Sequence, residues 1–207
     1  YAENILSVTA EYNGIEKTIE KEFEVFQQRH SEICRNISCY TLTSVSNVVH
    51  DPSSLELNGL REIALFTKGS STYVIAVAEL DNGFEIIDIS NPEDPSPVGR
   101  CSDGGCGTRL NGVSNVAVTT IGGTTYAVLL AYGDKGISIF DLSTPSSPNQ
   151  VSNMANTNAN GYRLQNAYGL AVAEFGGETY AVVAAHKTTD SLALVDISDP
   201  TSLVYKD

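Results

Sequence analysis

Gly83-Phe84-Glu85-Ile86-Ile87-Asp88-Ile89-Ser90-Asn91-Pro92 decides how the rest of this chain is read, because it recurs. Gly136-Ile137-Ser138-Ile139-Phe140-Asp141-Leu142-Ser143-Thr144-Pro145 repeats the pattern, and Ser191-Leu192-Ala193-Leu194-Val195-Asp196-Ile197-Ser198-Asp199-Pro200 repeats it again. Each copy runs through a short apolar segment of strand-forming type into Asp-(Ile/Leu)-Ser-x-Pro. An Asp in that place accepts hydrogen bonds from nearby backbone N–H groups, a Ser does so more weakly, and the Pro ends the strand by withholding a donor. Asp88, Asp141 and Asp196 are therefore assigned to a turn rather than to catalysis or metal binding.

Working outward, the same copies share a preceding segment: Thr72-Tyr73-Val74, Thr125-Tyr126-Ala127 and Thr179-Tyr180-Ala181, whose tyrosines lie 53 and 54 residues apart. Before it stands another apolar stretch, with Ile63 and Leu65, Val116 and Val118, and Leu170 and Val172 at alternating positions. Gly122-Gly123 and Gly176-Gly177 lie between the two and supply the positive φ of a tight hairpin. A fourth strand is expected near residues 97–101 and 149–153. Three repeats result, at about 54–106, 107–160 and 161–207. The predicted fold class is all-β: a propeller-like array of four-stranded antiparallel blades, three visible, with a partial fourth left open.

The segments Phe84-Glu85-Ile86-Ile87-Asp88, Ile137-Ser138-Ile139-Phe140-Asp141 and Leu192-Ala193-Leu194-Val195-Asp196 resemble the LVIVD repeat. The resemblance covers residues 44–207 and implies a β-propeller fold and a secreted or cell-surface setting, without implying any one reaction. It also implies where a site would lie. The loops joining second to third strands share one face with the segments joining consecutive blades, and these are the parts that differ between copies. Variable loops on a rigid scaffold are where binding is usually built. The binding-face candidates are Glu79, Asp81, Tyr132, Asp134 and His186 in the loops, with Arg109 and Arg163 in the interblade segments. Each has a plainer reading as a turn former, a paired charge or a solvated side chain. The leucines Leu57, Leu110 and Leu164 at one offset of these segments read as core.

Composition narrows the partners. Twenty-five acidic against 12 basic residues give a formal charge of −13, which repels a phosphate backbone and an anionic membrane surface. Nucleic acid and direct membrane insertion are not expected, and no apolar run reaches the length of a helical span. The cysteines form two C-x4-C pairs, Cys34 with Cys39 and Cys101 with Cys106, and 61 residues separate the pairs. That separation, with no His beside either pair, disfavours zinc and favours disulfides, two local loops being preferred among the three connectivities. Asn36-Ile37-Ser38 is an N-glycosylation acceptor inside the first pair, which agrees with an extracellular location. No catalytic template is met, so no catalytic residue is assigned. No cofactor is expected; Asp81-Asn82-Gly83 is a weak calcium-loop candidate without the downstream Glu of an EF-hand.

Residues 1–43 stand apart as an N-terminal segment before the blades at 44–207. Ile15, Ile19, Phe23 and Phe26 fall on one stripe of a helix over residues 14–34, with charges elsewhere, so an amphipathic helix is predicted there. An edge strand over residues 22–26 is its rival. Residues 1–13 lack the features of a signal peptide, which is expected to have been removed, and the array is expected to continue past Asp207. Three blades cannot close a ring, so the leading functional expectation is a non-catalytic extracellular structural or interaction protein, self-associating or bound to other surface proteins, in a filamentous assembly. The alternatives are part of a larger propeller enzyme and a calcium-stabilised adhesion module for carbohydrate or protein.

Overall fold

In the computed structural model the chain is described over residues 5–12, 15–22, 46–48, 57–156, 164–185 and 191–206, for the first two stretches as backbone alone. It divides into two compact units, Tyr1–Ser44 and Val45–Asp207.

In the first unit β1 (Ile5–Tyr12) and β2 (Ile15–Glu22) pair antiparallel, Tyr12 opposite Ile15 and Ile5 opposite Glu22. This corrects the helix expected over residues 14–34 as far as Glu22; residues 23–34, and the rival strand beyond Glu22, lie outside the described residues. The physical reason is a partner that helical periodicity ignores. Ile15 and Ile19 are four apart, which suits one face of a helix and equally one face of a strand, and β1 supplies the backbone partners that select the strand. The sequence between the strands is Asn13-Gly14, the dipeptide most favoured in two-residue hairpins.

The second unit holds three four-stranded antiparallel sheets, each in simple sequential order. The first blade comprises β3 (Leu60–Lys68), β4 (Ser71–Ala78), β5 (Gly83–Asp88) and β6 (Ser96–Ser102). The middle blade comprises β7 (Val113–Ile121), β8 (Thr124–Ala131), β9 (Gly136–Asp141) and β10 (Asn149–Ala155). The third comprises β11 (Ala167–Phe175), β12 (Glu178–Ala185), β13 (Ser191–Asp196) and the short β14 (Val204–Lys206). All three are blades of the propeller type, and among the described residues there is no helix.

The repeated turn is built as its residues dictate. Asp88, Asp141 and Asp196 accept at Oδ1 from the backbone N–H of Ser90, Ser143 and Ser198, at 2.8, 2.7 and 3.0 Å. Ser90 Oγ and Ser198 Oγ in turn accept from Thr72 N and Thr179 N, tying the turn to the second strand.

Two cores join the blades face to face. Ile75, Val77, Phe84 and Ile86 of the first blade meet Val116, Ala127, Leu129 and Phe140 of the middle one, with Leu110 and Cys101 in the same cluster. Val128, Leu130, Ile137 and Ile139 of the middle blade meet Ala181, Val183, Ala193 and Val195 of the third, with Leu164. Successive residues of β8 thus enter opposite cores, which is why Ala127–Ala131 is an unbroken apolar run rather than an alternating one. Each blade consequently has a rear face, turned to the preceding blade, and a forward face, turned to the following one. The inner strands approach directly, β3 packing on β7 and β7 on β11.

The outer edge shows a second regularity. Ser152 Oγ of β10 donates to the carbonyl of Pro200 in the third blade's turn, at 2.5 Å. Ser46 Oγ makes the same bond, 2.5 Å, to the carbonyl of Pro92 in the first blade's turn. Between the first and middle blades the position is Gly99, where a Cβ would lie 2.0 Å from the Pro145 carbonyl oxygen, so backbone takes the place of the side chain. Ser46 therefore holds, against the first blade, the place that an outer strand holds between the others.

A cleft where three blades converge

Each inner strand begins with the same irregularity. The pairing register shifts between Leu60 and Glu62 in β3, between Val113 and Asn115 in β7, and between Ala167 and Gly169 in β11. The extra residue in each bulge is Arg61, Ser114 or Tyr168. A bulge leaves one residue unpaired and re-aims its side chain. These three side chains line one cleft of about 280 Å³, together with Asn115 and with Glu79 and Tyr132 from the loops between second and third strands.

One wall of the cleft is ionic. Arg61 donates from Nε and Nη2 to Oε2 of Glu79. Tyr132 and Tyr168, which also line the cleft, stack with ring centroids 5.1 Å apart and planes inclined by 28°. Ser114 Oγ donates to Asn115 Oδ1 at 2.9 Å and also approaches the Leu130 carbonyl at 3.4 Å. The Tyr168 phenol is held above its ordinary pKa, first by the hydrogen bond with Tyr132, then by desolvation and by the Tyr132 and Glu79 charges, against the opposing pull of Arg61. The phenol stays neutral through the physiological range, and Arg61 and Glu79 cancel.

Of the candidates from sequence, Glu79 and Tyr132 come together here. Asp81 and Asp134 sit further along the same loops, where their Oδ2 atoms accept from Asn58 N at 2.6 Å and Asn111 N at 3.0 Å, holding the segment that leads into each inner strand. Asn82 Oδ1 accepts from Gly112 N at 2.8 Å, a bond from the first blade to the middle one. Arg109 is exposed, carries a left-handed φ of 68°, and does not line the cleft. Its carbonyl and that of Thr108 receive the buried Ser138 hydroxyl. Among the described residues no group of three or more His, Cys, Asp or Glu side chains is arranged to hold a metal ion. His186 and Arg163 lie outside the described residues, as do Cys34, Cys39 and Asn36. Cys101 and Cys106 form a disulfide with Cα atoms 5.4 Å apart.

Arg61, Ser114, Asn115 and Tyr168 escape a reading by periodicity, because a bulge is an event of register between strands. The signal available was the column itself: Arg61, Ser114 and Tyr168 are three different chemistries at one position of the repeat.

The comparisons with known proteins bear on the fold. A family model described as the LVIVD repeat matches residues 72–103, 125–156 and 177–207. Among solved structures, a protein of Lactobacillus plantarum is similar over 72% of this chain and 40% of its own, at 14% identity and a TM-score of 0.50. A GH43 protein of Bacillus licheniformis matches at 17% identity and a TM-score of 0.46, over 72% of this chain and 29% of its own. A GH32 beta-fructofuranosidase of Bombyx mori matches at 10% identity and a TM-score of 0.47, over 98% of this chain and 46% of its own. The chain therefore spans less than half the length of each. No curated protein matches.

Proposed function

We propose, from the premise that this chain is an LVIVD-repeat protein of the β-propeller type, that it is a non-catalytic interaction protein which associates with further copies of itself through its two terminal blade faces. One observation carries the reading: the kinds of face sealed between blades in the described unit are exposed on its first and third blades. In the middle blade the forward-face residues Val128, Leu130, Ile137 and Ile139 are fully buried. On the forward face of the third blade Leu192 is 68% exposed, and Ala171, Ala173 and Ala184 are exposed beside it. On the rear face of the first blade Ile63 and Leu65 are each 61% exposed, where Val116 of the middle blade is 5%.

The forward face of one blade is the natural complement of the rear face of the next, since two such pairs already form the cores of this unit. A second copy offers that rear face. The contact is heterologous, so repeated addition yields a ring or a filament according to whether the rotation closes. Exposed strand faces of this kind are otherwise an aggregation hazard. Work outside the cytosol is part of the same proposal. It is supported by the Cys101–Cys106 disulfide, a bond that persists in oxidising compartments, and no described helix is long and apolar enough to cross a membrane.

Light scattering over a concentration series tests the proposal. The chain is expected to grow in mass with concentration, and Leu192→Lys to hold it monomeric. A wild-type chain that stays monomeric at high concentration overturns it.

A further inference from the structure

We infer that the cleft bounded by Arg61, Glu79, Ser114, Asn115, Tyr132 and Tyr168 is a binding site for a neutral sugar ring, a pyranoside in particular. Three separate strands each deliver one of its lining residues by one device. A bulge at the same place in β3, β7 and β11 turns out one residue from each blade. The backbone irregularity repeats while the side chains do not, which is how a repeat scaffold makes one asymmetric site from equivalent positions.

The chemistry selects the ligand. The cleft carries one cation and one anion already tied to each other, so its formal charge is zero. A carboxylate or phosphate ligand would call for an excess of cations, and an ammonium for an excess of anions. What the cleft offers is a mixture of donors and acceptors: a guanidinium, a carboxylate, a side-chain amide and a hydroxyl, with two phenols that both give and receive. A sugar hydroxyl is likewise donor and acceptor at once, and matches such a mixture without any charge to neutralise. The aromatic wall supplies the rest. Tyr168 is stacked on Tyr132 and remains 57% exposed, so an aromatic surface is presented to the apolar C–H side of a ring, the amphipathic contact tyrosine is suited to. At about 280 Å³ the cleft falls just below the usual ligand-site volumes of about 300–1,000 Å³, a size for one ring rather than a polymer segment.

The site is independent of the terminal faces. Its test is saturation-transfer NMR on the full chain with four probes: the methyl pyranosides of glucose, galactose, mannose and xylose. Transfer to the ring protons of at least one is expected. Tyr168→Ala and Arg61→Ala should each weaken that binding about tenfold, the fold-change that loss of one well-placed contact brings, while Tyr168→Phe keeps the stacked face and most of the signal. Both wild-type side chains are largely exposed, so circular dichroism should be unchanged. Absence of transfer from all four probes overturns the inference, and so does transfer that survives both alanine substitutions.

Discussion

Gly112 shows how narrowly some single positions of the repeat are constrained. Its φ is +65°, and a Cβ there would stand 2.9 Å from Gly133 N, backbone that has no rotamer in which to retreat. Gly59 holds the same place in the first blade with φ +72°, while Asn166, with φ +54°, holds it in the third. Asn is the non-glycine residue that best tolerates this region. Gly112→Ala is expected to cost about 1–3 kcal/mol in chemical denaturation, from backbone strain and the close contact together. A second residue-scale effect is electrostatic. Asp196 is held below the ordinary aspartate pKa, chiefly by hydrogen bonds from the Ser198 backbone and side chain and secondarily by Lys206, whose Nζ lies 3.2 Å from Oδ2. Since the folded pKa is depressed, the stability this group adds is present above the unfolded aspartate value of about 4 and is lost as pH falls through the lower folded value. Asp196→Asn should therefore flatten the fall of the denaturation midpoint below about pH 4. A midpoint curve that falls as steeply in the variant would contradict that assignment. This turn was legible beforehand because every partner of the aspartate lies within two residues of it, apart from Lys206.

Whole strands obey constraints that no one of them carries. Gly83 and Gly136 open the third strands of their blades, and a Cβ on either would stand 2.4 Å from a carbonyl oxygen of the fourth strand, that of Cys101 or Met154. In the third blade the position is Ser191. The close carbonyl is what demands glycine in the first and middle blades. Between blades, Phe84 and Phe140 meet edge to face with centroids 5.0 Å apart, both fully buried. Phe140→Ala should destabilise the unit by about 3–5 kcal/mol. In a double-mutant cycle with Phe84→Ala the coupling should be about 0.5–1.5 kcal/mol, and strict additivity would mean that the rings do not sense each other. The N-terminal segment is the counterexample at this scale. Ile15 and Ile19 satisfy a helical stripe, yet Ile15–Glu22 is a strand, because β1 supplies backbone partners that one segment's periodicity does not report.

For the molecule as a whole the terminal faces carry the sharpest prediction. Leu192→Lys blocks a forward face and leaves the rear face intact; Ile63→Lys does the reverse. Each variant alone should be monomeric, and a mixture of the two should form a heterodimer that grows no further, as a heterologous contact requires. A mixture that remains monomeric would exclude pairing of these two faces. The sequence by itself determined the repeat, its hairpins, its Asp-Ser turn and the burial of Leu57, Leu110 and Leu164, since each of these is a local pattern or a column of equivalent residues. Only the tertiary structure decided that Arg61, Ser114 and Tyr168 share a cleft, that β8 feeds two cores, and that Ser46 occupies an outer-strand place against Pro92. Register shifts, sheet-to-sheet packing and contacts between residues tens of positions apart arise from the pairing of strands, and a single strand read along its length contains no record of its partners.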